Sequence, residues 1–255
     1  MEINSFFRTS LLILILFYIH SCIDPHKGLH DKYIPTGDGG SIYNLFRDDV
    51  LIDSCYMRNG KRQGIRMRLD TLDSVKIYTN YKDGKKNGKG SAYFFNKKLS
   101  YNVNFRNDTM IGECFFYYST GKINTYEFRR FTDGKVMYQR FYDEKGNTIK
   151  SVGKGLIQIS CLKDTIYVNE EYQGVATLAT PPNTKTVFMY ADFTNDTIGK
   201  NHMINTENTQ KRYFNATFKK PGIYKKIIFW SIEDSITGQI HKGNNGLEIV
   251  VIPHK

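Results

Sequence analysis

The stretch NYKDGKKNGKGSAYFF, residues 80–95, combines three glycines with four lysines and invites a phosphate-binding interpretation. A P-loop has four residues between its first glycine and the Gly-Lys pair, and its lysine is followed directly by serine or threonine. In this chain only three residues follow Gly84 before the next glycine, and Gly90 separates the lysine from the serine. A P-loop also opens a helix, whereas the aromatic residues after Ser91 favour a strand. The stretch therefore fails as a nucleotide site.

Other residues that could perform chemistry lack a supporting motif. The carboxylates of the C-terminal half show no sequence sign of a facing pair, and its histidines stand beside no serine or cysteine motif. These residues are Asp192, Asp196, His202, Glu207, Glu233, Asp234 and His241. We therefore predict that the protein is not an enzyme and that it has no catalytic residue and no cofactor.

Two histidines near the N-terminus have the spacing of metal ligands on a helix. His26 and His30 are four residues apart, and Asp24 and Asp31 lie beside them. The surrounding segment IDPHKGLHDKYIPTGDGGS contains prolines and glycines, which disfavour the helix that this spacing would need. We predict no metal site.

The first 22 residues, MEINSFFRTSLLILILFYIHSC, have the composition of an export signal. A short polar segment containing Arg8 precedes an apolar run from Leu11 to Ile19. This run is shorter than the ~20 apolar residues of a membrane-spanning helix and is typical of a signal peptide. We therefore expect the mature chain to lie outside the cytoplasm.

The end of this segment resembles the lipobox of bacterial lipoproteins. Ile19, Ser21 and Cys22 match its pattern, whereas His20 is unusual within it. The resemblance implies that Cys22 carries a diacylglyceryl group and becomes the mature N-terminus. The protein is then expected in the cell envelope, at the outer membrane, facing the periplasm or the outside. The alternative is an ordinary secretory signal with an incidental cysteine.

An envelope location restricts the possible partners. Nucleic acid is excluded as the main partner, which leaves membrane lipid at the anchor and an envelope protein or glycan elsewhere. An oxidising compartment could pair two of Cys55, Cys114 and Cys161, but the sequence does not say which. None of them belongs to a CxxC motif.

The chain is basic, with a net charge of +11 and a pI near 9.3. Such a charge attracts polyanions such as anionic lipid or acidic glycan. A lysine cluster is the candidate polyanion-binding site. The alternative is that these lysines keep turns and strand edges soluble and prevent edge-to-edge pairing. The cluster contains Lys82, Lys85, Lys86, Lys89, Lys97 and Lys98.

The lysine cluster belongs to an internal repeat of 24 residues. This shift superimposes Gly64, Gly88 and Gly112, and it also aligns the alternating strand patterns that begin at Val75 and Leu99. We predict that each unit is a strand, a tight turn and a second strand, with the glycines at positive φ or at close approaches. Residues 131–147 resemble a fourth, terminal copy without the second glycine.

The phrase YKDGKKNGKG, followed by an aromatic pair, resembles the MORN repeat in its bacterial variant form. The resemblance covers roughly residues 56–150 and is strongest from Tyr81 to Tyr93. It implies an elongated antiparallel ribbon that serves as a scaffold or interaction surface, and it carries no catalytic residues. We therefore interpret the middle of the chain as a binding or structural module.

The last hundred residues have the pattern of a β-sandwich. Seven strand-like segments alternate with turn signals, as in immunoglobulin-like modules. The segment KKPGIYKKIIFWSIED resembles the corner and following strand of such modules, which makes Tyr224 the expected corner tyrosine and Trp230 a core or sheet-face aromatic. No cysteine pair of the antibody type is present.

Together these patterns predict an all-β protein: a stacked antiparallel β-hairpin ribbon and a C-terminal immunoglobulin-like sandwich. The expected segments are a signal peptide (1–21), a flexible tether (22–50), the ribbon (51–153) and the sandwich (154–255). The expected function is that of a non-enzymatic envelope lipoprotein, a binding or scaffold module. The alternative is an envelope protein that binds or processes glycans. A third hypothesis is docking of the lysine cluster on anionic lipid.

Overall fold

The computed structural model describes residues 28–161, 163–190 and 211–254, and all regular secondary structure among these residues is β-strand. Eleven of the described strands form one antiparallel sheet in sequence order, the ribbon. Its strands are β1 (Leu29–Pro35), β2 (Ser41–Arg47), β3 (Val50–Arg58), β4 (Lys61–Asp70), β5 (Val75–Lys82), β6 (Lys85–Phe94), β7 (Leu99–Arg106), β8 (Thr109–Tyr117), β9 (Ile123–Arg129), β10 (Val136–Tyr142) and β11 (Thr148–Gly153).

The sheet begins earlier than the predicted boundary at residue 51. Residues 29–47, which the sequence assigned to a tether, contain β1 and β2. Strand β1 pairs with β2, and β2 pairs with β3. The turn residues Gly37 and Gly39 suggested a flexible linker, but they belong to the loop between these two strands. Tyr33, Tyr43 and Phe46, whose aromatic side chains favour strands, supplied the strand signal that the linker composition concealed. Residues 1–27 lie outside the described residues.

The repeat is confirmed as a repeat of hairpins. The turns after β3, β5 and β7 each contain two residues at positive φ: Asn59-Gly60, Asp83-Gly84 and Asn107-Asp108. This conformation is that of a type I′ turn, whose twist matches that of the flanking strands. Successive turns are joined by hydrogen bonds, since Gly84 N donates to Arg62 O at 2.9 Å and Asp108 N donates to Lys86 O at 2.9 Å.

The second glycine column also has the predicted conformation. Gly64, Gly88 and Gly112 have φ values of 70°, 96° and 66°, and the strand pairing of each hairpin shifts beside them. Such bulges increase the local twist of a sheet. One bulge per hairpin therefore gives every unit the same shape, which is why glycine recurs at this position.

One face of the ribbon, which we call the core-forming face, buries the alternating column predicted from the sequence. Val75, Tyr81, Val103 and Phe105 are all less than 9% exposed. Val103, Phe105 and Cys114 pack against one another and against neighbouring side chains of β7 and β8. Contacts between adjacent strands thus bury this face.

The sandwich consists of two sheets that share a hydrophobic core. The three-stranded sheet has the order β12-β14-β16, and the four-stranded sheet has the order β13-β18-β17-β15. A core cluster joins Tyr172 of the first sheet with Ile166, Ile249 and Val251 of the second. The strands are β12 (Ile157–Cys161), β13 (Thr165–Tyr167), β14 (Glu171–Leu178), β15 (Thr184–Tyr190), β16 (Lys211–Thr217), β17 (Gly222–Asp234) and β18 (Ile240–Ile252).

The immunoglobulin-like features expected from the sequence are present. The Tyr224 hydroxyl donates to the Lys220 carbonyl oxygen at 3.0 Å, which is the hydrogen bond of a tyrosine corner. Trp230 is 9% exposed in the core, and its indole N–H donates to Asn245 at 3.0 Å. These contacts fix the loop before β17 and the packing of that strand.

The ribbon and the sandwich are fused through one continuous cluster, the junction core. Buried aromatic residues of β9 and β10 pack against aliphatic residues of β12, β14 and β17 and against Trp230. Arg140 of β10 and Asp234 of β17 form an ion pair in which both side chains are less than 10% exposed. The junction core contains Tyr126, Phe128, Tyr138, Tyr142, Leu156, Ile157, Ala176, Leu178, Ala179, Ile228, Trp230 and Ile232.

Candidate functional site

Strand pairing places a row of side chains on the face of the ribbon opposite the core-forming face. Tyr78, Ser91, Asn102, Phe115 and Tyr126 lie directly opposite one another on β5 to β9. Directly opposed residues share a face in antiparallel sheets. Since Tyr126 belongs to the junction core, this face is the one that the sandwich contacts, and we call it the sandwich-facing side.

The first half of this side is an open groove of about 730 Å³. Tyr78 and Tyr93 meet edge to face with ring centroids 6.1 Å apart, and Lys76 lies with its ammonium 5.6 Å from the centroid of the Tyr78 ring. Phe95 is 55% exposed at the rim. The groove is lined by Ile65, Leu69, Lys76, Tyr78, Ser91, Tyr93, Phe94, Phe95 and Lys97.

The second half is a more polar cavity of about 400 Å³ beside the sandwich. Its cations are Arg106 of β7 and Lys211 of β16, so both the ribbon and the sandwich contribute to it. Aromatic walls come from Phe115 and Phe131. The other lining residues are Asn87, Gly88, Asn102, Asn104, Phe105, Ile111, Gly112 and Glu113.

The two halves adjoin. Ser91 lines the first half and Asn102 lines the second, and these residues are directly opposite each other on neighbouring strands. The two therefore lie side by side on the sandwich-facing side, between the Phe95 rim and Lys211. We call them together the ribbon groove.

Glu113 is the one carboxylate among the described lining residues of the ribbon groove. It is already hydrogen-bonded to neighbouring residues. One oxygen accepts hydrogen bonds from the Tyr126 hydroxyl at 2.6 Å, from Thr180 N at 2.8 Å and from the Thr180 hydroxyl at 2.6 Å. Burial raises the pKa of Glu113, and these hydrogen bonds oppose the rise without cancelling it. Burial, with the Glu113 charge beside it, also raises the pKa of Tyr126 well above its usual value. This group therefore ties the groove to the junction core.

The structure places five of the six predicted polyanion-binding lysines at opposite ends of the strands of the ribbon. Lys82, Lys85 and Lys86 flank the turn after β5, whereas Lys97 and Lys98 lie in the turn after β6. A ten-residue strand such as β6 spans about 30 Å, so these groups are a strand length apart. Lys89 lies within β6 itself.

Two of these lysines make contacts within the ribbon. The Lys86 ammonium lies 5.2 Å from the centroid of the Phe105 ring, and the Lys98 ammonium donates to the Thr120 carbonyl oxygen at 2.8 Å. Only Lys97 of the six lines the ribbon groove. The remaining residues of the groove were not predicted from the sequence; the alternation in YNVNF indicates only that Asn102 and Asn104 share the face opposite the core residues.

The other candidates from the sequence are placed as follows. Asp192, Asp196, His202 and Glu207 lie outside the described residues, as do Cys22, Asp24 and His26. Asp234 is buried in its pair with Arg140 and also accepts from Ile236 N and Thr237 N, both at 2.9 Å. His30 stacks on Phe46 with ring centroids 5.1 Å apart. The described residues contain no cluster of three potential metal ligands.

Cys55, Cys114 and Cys161 are free thiols in the structure. Cys55 on β3 and Cys114 on β8 share the core-forming face but are five strands apart, a distance of about 24 Å. This separation is far beyond the reach of a disulfide. Burial raises the pKa of the Cys114 thiol to about 11, which disfavours the reactive thiolate.

No family model and no characterised protein matches the sequence. Solved structures with a partial likeness include TarM and a point mutant of S. aureus TarM, the latter in complex with Fondaparinux, alpha-GlcNAc-glycerol and UDP. Their sequence identities with this chain are 17% and 15%, and their TM-scores are 0.16 and 0.21. Each match covers 54% of this chain and 21% of the other, so this chain spans about a fifth of those proteins. Likeness at this level carries no argument about function.

None of the described residues forms a helix long and apolar enough to cross a membrane.

Proposed function

We propose that this protein is a non-catalytic binding module of the cell envelope, anchored by lipid at Cys22. The observation that carries the proposal is the fusion of ribbon and sandwich through the junction core. Arg140 and Asp234 pair across it, and Gln158 of β12 donates to Arg129 O at 2.7 Å and accepts from Phe131 N at 2.7 Å. A joint held in this way presents a preformed surface, which suits recognition of a partner.

The position of the anchor adds a geometric consequence to the proposal. Leu29 begins the sheet seven residues after Cys22, a span of at most about 25 Å of extended chain. Eleven strands at the usual spacing cover about 50 Å across the ribbon. The ribbon would then begin close to the bilayer and hold the sandwich farther away, so that the ribbon groove faces the space between envelope layers or the cell exterior.

Fractionation of cells that express the wild type or Cys22→Ala tests the anchor. We expect the wild type in the membrane fraction with an acylated mature N-terminus, and the variant in the soluble fraction. Membrane association that persists in Cys22→Ala, with no acyl mass on the wild-type N-terminus, would refute lipidation. The alternative of an ordinary secretory signal also predicts an N-terminus without an acyl group.

Site-specific photocrosslinking in cells tests the binding function. Benzoylphenylalanine replaces Phe95 at the groove rim, and Ile223 of the sandwich provides a control position of matched exposure, 57% against 55%. We expect a discrete adduct from position 95 that is absent from position 223. The same adducts at both positions, or none at either, would contradict a binding surface on the ribbon.

A further inference from the structure

The ribbon groove combines three kinds of group that together specify a ligand class. It offers aromatic rings at Tyr78, Tyr93 and Phe95, carboxamides in its polar half, and cations at both ends. Aromatic faces offer apolar surface against which the C–H face of a saturated ring can pack. A carboxamide both donates and accepts, so it can bind a hydroxyl in either sense.

The carboxamides of the polar half are available. Within the described parts of the chain, the side chains of Asn87, Asn102 and Asn104 make no hydrogen bond to another residue. They line a cavity beside Phe115 and Phe131. Amide groups next to aromatic walls suit a ligand with many hydroxyl groups, because each hydroxyl can exchange its water for an amide partner.

The charge of the groove favours an anionic ligand. Lys76 and Lys97 line the apolar half, and Arg106 and Lys211 line the polar half. The carboxylate among the lining residues, Glu113, accepts three hydrogen bonds from Tyr126 and Thr180. Four cations therefore face the groove, and the acidic group beside them is already engaged.

We propose that the ribbon groove binds an extended anionic glycan, with sugar rings against Tyr78 and Tyr93, hydroxyls on the asparagines and acidic substituents on the lysines and Arg106. The inference deepens the proposed binding function and rests on it. Its first half is an open groove next to the polar cavity, which suits a chain that passes over the sheet rather than a small molecule enclosed in a single pocket. The two ends of the groove engage different sugar units, so affinity increases with chain length until both halves are filled.

Calorimetric titration of the full-length protein in detergent micelles tests the proposal. The probes are oligogalacturonides of increasing length, with neutral dextran oligomers as the uncharged control. We expect binding that strengthens with oligogalacturonide length and then levels off, and at least a tenfold weaker affinity for dextran. Equal binding of dextran, or no binding of either probe at millimolar concentration, would overturn the proposal.

Matched charge variants distinguish binding in the groove from non-specific electrostatic attraction of the probe to the basic protein. Lys76→Gln with Lys97→Gln removes two groove cations. Lys82→Gln with Lys85→Gln, which we call the turn pair, removes two cations beside the turn after β5, outside the groove. We expect the substitutions in the groove to weaken oligogalacturonide binding about tenfold and the turn pair to weaken it less than threefold. Equal losses would show that net charge alone attracts the probe and would overturn the groove as a site.

Aromatic stacking and the lipid alternative have their own tests. Tyr93→Ala, at a side chain that is 39% exposed, should weaken oligogalacturonide binding about tenfold, and circular dichroism should show that the variant is still fully folded at the temperature of the titration. Vesicles of anionic phospholipid that bind through the same lysines, and displace the glycan, would overturn the glycan in favour of lipid. A protein adduct at position 95 without glycan binding would also overturn this inference but would leave the proposed binding function intact.

Discussion

The ribbon and the junction core are both densely packed, but they differ in how far apart in sequence their contacting residues lie. In the ribbon, hydrogen bonds between turns join residues from successive hairpins, such as Gln63 with Asp83 and Tyr118 with Tyr142. In the junction core, Arg140 and Asp234 are 94 residues apart. The ribbon is thus built from contacts between neighbouring hairpins, whereas the junction core depends on contacts between residues far apart in sequence.

This difference has consequences for stability. A structure of nearest-neighbour contacts can lose one unit while its other units persist. The junction core is not divided into repeated units, because it is one cluster that joins the ribbon to the sandwich. Damage at the junction should therefore affect the whole molecule, and damage in the ribbon should remain nearer to its own hairpin.

The largest effect is expected from Arg140→Met. Asp234 would remain buried without its cation, and breaking a buried pair in this way usually costs about 3–5 kcal/mol. Trp230 is the single tryptophan and lies in the junction core, so its fluorescence in urea unfolding reports this loss directly. Circular dichroism of the sheets should show the same transition if the junction couples them.

A second variant tests whether the unpaired charge of Asp234 causes the loss of stability. Asp234→Asn can still accept from Ile236 N and Thr237 N, so Arg140→Met combined with Asp234→Asn should recover much of the stability. As a control, Lys225→Met breaks a pair with Glu248 that is more than 60% exposed on both sides, where the expected loss is at most about 1 kcal/mol. Similar losses for Arg140→Met and Lys225→Met would contradict the special role of the junction.

The same contrast explains what the sequence could predict. Hairpin units, type I′ turns and positive-φ glycines follow from local residue chemistry, and repetition made Gly64, Gly88 and Gly112 visible as a column. The tyrosine corner could also be predicted, because Tyr224 and its partner Lys220 are only four residues apart. These features needed no knowledge of distant parts of the chain.

The groove and the junction could not be predicted in the same way. Asn102 and Asn104 resemble any solvent-facing residues of a strand until the sandwich is placed beside them. The lysines formed one cluster in sequence, but the ten-residue length of β6 separates them in space. Strands β1 and β2 were missed because their glycine-rich turn resembled a linker. For the groove asparagines and the junction, the deciding information was the position of another element.

The next largest effect concerns two glycines that the repeat makes equivalent. Gly64 has φ of 70° and no atom within 4 Å of the position that a β-carbon would take, whereas a β-carbon at Gly112 would lie 3.0 Å from the ring of Phe131. Gly64→Ala should cost about 1–2 kcal/mol from backbone strain alone. Gly112→Ala should cost about 1 kcal/mol more, because Phe131 must move.

Urea unfolding of both variants measures this difference in the free energy of unfolding. The two glycines also differ in their distance from the junction core, which gives a second readout. Phe131 N donates to Gln158 of the sandwich, so the Gly112→Ala transition should also appear in Trp230 fluorescence. Equal losses in the two variants would mean that the Phe131 contact carries no weight and that the two glycines differ only in position.

The smallest effect is a change with pH at Glu113, where the ribbon meets Thr180. The pKa of Glu113 is raised in the folded protein above its ordinary value of 4.5. Between those two values the unfolded chain releases the proton and the folded chain keeps it, so the contribution of Glu113 to the free energy of unfolding falls as pH rises. It is fully present below the ordinary pKa and does not change further above the folded pKa.

Glu113→Gln keeps an oxygen that can accept from Tyr126 and Thr180 but removes this titration. The stability of the variant relative to the wild type should therefore increase as pH rises through the window above 4.5 and then level off, as measured by urea unfolding at several pH values. Asp38, whose hydrogen bonds with Thr36 and Tyr56 lower its pKa to about 2, has the opposite pH dependence, but it is present in both proteins and cancels in the difference. A relative stability that decreases over this window would show that the junction stabilises the Glu113 carboxylate, and that charge rather than apolar packing holds the ribbon to the sandwich at this point.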